Sequence, residues 1–122
     1  MKPVTDMTVH SLLKDLGMFS HMKGYHYLTE LILLAYHGEF GVRQMKYGYY
    51  KIRMKNGKSN SAIDRGCRYI IDQSYNRYPN LYYDLFKFTM KPSVASFVFA
   101  SVEYLRNYSM GGVENEEFEK VE

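Results

Sequence analysis

Hydrophobic positions along this chain recur at steps of three and four, the spacing that places side chains on one face of an α-helix. Val9, Leu12, Leu13 and Leu16 form the first set, with Thr8 placed to cap its start and Gly17 to end it in a left-handed turn. From Gly24 to His37, the residues Tyr25, Leu28, Ile32, Ala35 and Tyr36 share a face that Leu31 and Leu34 widen until most of the cylinder is apolar. A helix apolar on most sides belongs at the centre of a fold. Val42, Met45, Tyr49 and Ile52 then predict a third helix, weakly interrupted by Gly48, with Arg43, Lys46, Tyr50 and Arg53 as a parallel basic stripe.

Asn56-Gly57 breaks that pattern, because both residues tolerate the positive φ that closes a helix. Ser59, Asn60 or Ser61 can cap the next helix, in which Ile63, Cys67, Ile70, Ile71 and Ser74 point one way and Ser61, Arg65, Arg68, Tyr69 and Asp72 the other. Gly66 lies between those faces and costs about 1 kcal/mol relative to Ala, which predicts a close neighbour there. Asn80 is placed to cap a short fifth helix holding Leu81, Leu85 and Phe86, although "LYYDLFKFTM" also gives some weight to a strand. Ser93, after Pro92, caps a last helix of Val94, Phe97, Val98, Ser101, Val102 and Leu105. The expectation is an all-α bundle of about six helices. One domain over residues 1–108 is followed by a flexible acidic tail, 109–122, too polar to order itself.

With 122 residues the chain suits a single core. The longest apolar run, Leu31 to Tyr36, is too short to cross a bilayer, and the N-terminus lacks the layout of a secretory signal. These features and a lone Cys67, which cannot form an internal disulfide, point to the cytoplasm and no membrane partner. The charge of +3 conceals a division along the chain. Residues 41–91 carry eleven Lys and Arg against three Asp, whereas residues 113–122 carry five Glu against one Lys. A basic block of that kind attracts phosphate-bearing partners.

Catalytic constellations are scarce. His10, His21, His26 and His37 lack a metal-ligand spacing, and one cysteine gives no zinc pair. No phosphate loop, dinucleotide fingerprint or nucleophile elbow occurs, so the expectation is a non-enzyme without metal or cofactor.

A helix, an Asn-Gly turn and a capped helix that is apolar inside and basic outside match a helix-turn-helix, whose second helix lays its N-terminal half in the major groove of double-stranded DNA. Arginine suits that place because its planar fork donates two hydrogen bonds to guanine O6 and N7. Arg65 and Arg68 are the candidate base readers. Ser59 and Ser61, at the helix start, together with Lys58, Lys55 and Arg53, are the candidate phosphate contacts.

Three separated segments carry a family resemblance. "LLKDLGMFSHMKGYHYLTELI" contains His21-Met22-Lys23-Gly24-Tyr25-His26-Tyr27-Leu28, and "NSAIDRGCRYIID" and "KPSVASFVFASVEYLR" follow in order. Together they resemble the C-terminal DNA-binding domain of the stage-zero sporulation response regulator A of endospore-forming bacteria, over roughly residues 11–107. The resemblance implies a six-helix bundle with a helix-turn-helix, in transcription factors that bind a short box of the TGTCGAA type as tandem dimers. Arg65 and Arg68 match the family's recognition-helix arginines, Asp64 stands where the family has a longer Glu, Ala62 where it shows Arg, and Tyr69 where it shows His. These five positions are the implied base contacts, two of them lost or altered. The family's regulators place a phosphorylatable receiver ahead of this domain. Here ten residues precede the matching part, which suggests a stand-alone regulator or a fragment.

Two functional classes follow. The first is a sequence-specific transcriptional regulator of sporulation-type genes. The second is a protein-interaction module that pairs with a full-length regulator or RNA polymerase, its acidic tail masking the basic face.

Overall fold

Residues 3–111, which the computed structural model describes, contain six α-helices and one π-helical turn. The helices are α1 Asp6–Asp15, α2 Tyr25–Tyr36, α3 Met45–Asn56, α4 Asn60–Arg77, α5 Pro79–Phe86 and α6 Val94–Arg106, with the π-helical turn at Asn107–Gly111. No strand occurs among the described residues, and "LYYDLFKFTM" runs from α5 into a loop. Of the expected tail over 109–122, residues 109–111 belong to the π-helical turn, with Ser109 buried, and those from 112 onward lie outside the described residues.

Helix α2 occupies the centre and packs against α1, α3, α4 and α6. Its Leu28, Leu31 and Ile32 are completely buried, as are Val9 and Leu13 of α1 and Phe97 and Val98 of α6. Each such side chain contributes about 1.5–3 kcal/mol of transfer free energy, so the apolar faces, rather than helix propensity, hold the elements together. A chain of buried hydroxyls ties the periphery of α4 to this core. Tyr82 of α5 donates to Ser74 Oγ at 2.6 Å, and Ser74 donates to the Leu16 carbonyl at 2.5 Å.

Three local expectations shift by a few residues. Thr5 rather than Thr8 is the N-cap of α1, and Thr8, three residues into the turn, accepts the Thr5 backbone N–H on its side chain at 3.1 Å. Val42 is exposed and precedes α3, because Gln44 is the N-cap and the helix begins at Met45. Tyr78 rather than Asn80 stands at the N-cap of α5, since Pro79 supplies a first helical residue whose missing N–H leaves nothing unsatisfied. The caps at Ser59 and Ser93 hold as expected, each hydroxyl accepting a backbone N–H three residues on at 3.1 Å. Among the described residues no helix is long and apolar enough to cross a membrane.

Candidate nucleic-acid interface

Helix α3 ends at Gly57, whose φ of 74° is the left-handed conformation that Asn56-Gly57 suggested. Residues 57–59 turn the chain, and Ser59 caps α4. The two helices pack against each other across this short turn, the arrangement expected of a helix-turn-helix. Ile63, Cys67, Ile70, Ile71 and Ser74 of α4 are buried, whereas Ser61, Arg65, Arg68 and Tyr69 are exposed and Asp72 is half-buried. The division of faces along this helix is therefore the one its sequence specifies.

Two contacts fix the rotation of α4. On one side, Asp64 accepts from the hydroxyl of Tyr49 on α3 at 2.6 Å. On the other, Gly66 touches Gly24, the residue just before α2. Asp64 and Gly66 are two positions apart, or about 200° around the helix, so α3 and α2 flank α4 on opposite sides. Arg65 falls midway between them and faces outward. The approach to α2 is one that only glycine permits. Gly24 has a φ of 92°, and a methyl there would lie 2.1 Å from the Gly66 carbonyl oxygen.

The expected site residues fall into four groups. Lys58, Ala62, Arg65 and Tyr69 border one shallow depression of about 300 Å³ on the α2 side. Arg68 leans toward α3 and pairs with Asp64 one turn earlier, an ion pair whose arginine side chain is 66% exposed. Such an exposed pair adds little stability; its effect is to hold the guanidinium in one orientation. Asp64 is engaged through both oxygens, by Tyr49 and by Arg68. Arg53 and Lys55 stand apart on α3. Arg53 lies over the Tyr50 ring at 5.4 Å, and Lys55 bonds Glu30 of α2 at 2.8 Å. Ser59 Oγ is used by the Ala62 N–H, while Ser61 is exposed in the first turn.

Sequence spacing did not reveal Lys23 and Tyr27, which line the same depression as Lys58 and Arg65. They lie in the His21–Leu28 segment, about forty residues before α4, and the Gly24 to Gly66 approach brings them there. The signal available was Gly66 inside a helix, where glycine has no local reason, together with Gly24 at the start of another.

Electrostatics keeps two groups of this region neutral. Burial, then the hydrogen bond to Asp64, pushes the Tyr49 hydroxyl far above the usual phenol range, so it remains a donor. Burial, then the Asp64 carboxylate, pushes the Cys67 thiol up likewise, and Cys67 is a core residue rather than a nucleophile.

The family model described as sporulation initiation factor Spo0A C terminal matches residues 9–99. No solved structure matches the chain.

Proposed function

The chain belongs to the Spo0A C-terminal family, a DNA-binding effector domain of a sporulation regulator, and on that premise we propose that it reads a specific duplex sequence through α4. The observation that carries the reading is the outward, unobstructed placement of Arg65 and Arg68 on a helix whose opposite face is locked into the core. Residues three apart are displaced by about 4.5 Å along a helix axis and about 60° around it. That separation compares with the rise of about 3.4 Å between successive bases, so two forks at this spacing address neighbouring base pairs. Guanine, with acceptors at O6 and N7, is the base each fork fits.

Asp64 works through Arg68 in this proposal. Each of its oxygens already holds one donor, Tyr49 or Arg68, so its part is to orient the arginine fork. Ala62 offers only a methyl, suited to a thymine methyl group, and Tyr69 presents a ring edge and a hydroxyl. Ser61, Lys58 and the open N–H groups at the start of α4 take phosphates, with Arg53 and Lys55 as outer contacts. A homodimer on tandem sites and a contact with RNA polymerase complete the proposed regulator.

Selection of bound duplexes from a random library at physiological salt tests this reading. A recurrent short box is the expected result. Equal retention of all sequences removes specific recognition, and co-purification of a protein partner without any DNA shift supports an interaction module instead.

A further inference from the structure

We infer that the depression between α2 and α4 holds a sugar-phosphate unit of the DNA backbone, and that Lys23 is a phosphate-binding residue acting beside Lys58. The inference rests on the DNA-binding reading and adds to it a contact from outside the helix-turn-helix.

The depression is lined by Lys23, Tyr27, Lys58, Arg65, Gly66 and Tyr69, among others. Its volume of about 300 Å³ is at the lower end for ligand-binding clefts. Three cations border it, and no acidic residue lines it. Among the described residues none of the three forms an ion pair, whereas Lys51, Lys55, Arg68 and Lys91 each have a carboxylate partner. Three like charges around one concavity repel one another, and a bound anion relieves that repulsion. The walls, with Tyr27, Ala62 and Tyr69, are mainly apolar and suit the sugar, while the three cations serve the phosphate. The tyrosine rings pack on a deoxyribose, and their hydroxyls can donate to phosphate oxygen.

Position argues for the same occupant. A helix in the major groove, which is about 12 Å wide, has a phosphate backbone along each flank. Helix α3 lies on one flank of α4 and the segment around Gly24 on the other. The first helix of a helix-turn-helix meets only one backbone. Lys23 precedes the glycine that touches α4 and lines the depression on this second flank together with Lys58. The close approach of two backbones thus converts a loop lysine into part of the recognition surface.

Equilibrium binding over a salt series, with a selected duplex and a scrambled one, tests the inference on Lys23→Gln, with Lys87→Gln as a control of equal charge on the loop after α5. Lys23 is exposed, and unfolding midpoints of both variants establish that the fold is retained. Lys23→Gln should weaken both duplexes by the same factor and reduce the slope of log affinity against log salt by about 0.9, the contribution of one phosphate contact. Lys87→Gln should leave that slope unchanged. If wild type binds and Lys23→Gln keeps its slope, or loses affinity for the selected duplex alone, the inference is overturned while the DNA-binding reading stands. A wild type that binds no duplex at low salt overturns both.

Discussion

The hydroxyl of Tyr49 donates to Asp64 Oδ1 at 2.6 Å, joining the two helices of the helix-turn-helix one turn from Arg68. The same carboxylate holds Arg68 through its other oxygen. A tyrosine 8% exposed on α3 therefore governs the orientation of an arginine on the outer face of α4.

Tyr49→Phe removes that donor and leaves a half-buried carboxylate oxygen without its partner. The expected cost is about 1–3 kcal/mol, read as a lower denaturant midpoint with an unchanged m-value. Base discrimination by Arg68 should weaken in the same variant. Wild-type stability together with wild-type discrimination would show that the bond has no part in either.

Gly24→Ala meets two obstacles, a φ of 92° and a carbonyl oxygen 2.1 Å from the new methyl. Left-handed backbone costs a non-glycine residue about 1–2 kcal/mol, and overpacking adds about 1–3 kcal/mol. Gly57→Ala has a similar φ, 74°, but open space around it, so only the first cost applies. Thermal unfolding of the two variants should rank Gly24→Ala clearly the more damaging. Equal losses would mean that the Gly24 to Gly66 approach is not tightly packed.

Stability should fall on the alkaline side. Burial raises the hydroxyls of Tyr25, Tyr49 and Tyr82 above the phenol value, with the Asp64 bond adding at Tyr49. A group raised on folding contributes stability that is complete below its unfolded pKa of about 10 and is lost as pH climbs through the folded value. Urea unfolding between about pH 8 and 11 should show a decline beginning near the phenol range, shallower in Tyr49→Phe. A flat profile would contradict the burial of these hydroxyls.

Cys67 is fully buried and its thiol is raised, so the native protein should resist thiol reagents and react only on unfolding. The measurement is the rate of thiol modification with and without denaturant. Fast modification of the folded chain would place Cys67 elsewhere than on the inner face of α4.

Much of this architecture was legible because it depends on local signals that agree with one another. The inner face of α4 was written in Ile63, Cys67, Ile70 and Ile71 at helical spacing, and its start in Ser59 after Gly57. Boundaries were less legible where two adjacent caps competed. Thr5 and Thr8 are both good N-cap residues, and the side-chain bond between them decides the matter only in three dimensions. Gly48, which reads as a weakness in α3, is explained by the Phe40 ring and Leu31, where a methyl would lie 2.8 Å and 3.0 Å from their nearest atoms. The candidate site was half legible for a related reason. Arg65 and Arg68 announce themselves by period, but Lys23, Tyr27 and the Asp64 bridge to Tyr49 arise from contacts between helices, which spacing within one helix does not encode.

The central claim is that Arg65 and Arg68 each read a base. Duplex selection carried out in parallel on wild type, Arg65→Ala and Arg68→Ala measures it most directly. Each variant should recover the wild-type box with preference lost at one position, different for the two, at a cost of about 1–3 kcal/mol for the selected duplex. Recovery of the full wild-type box by both variants would contradict it.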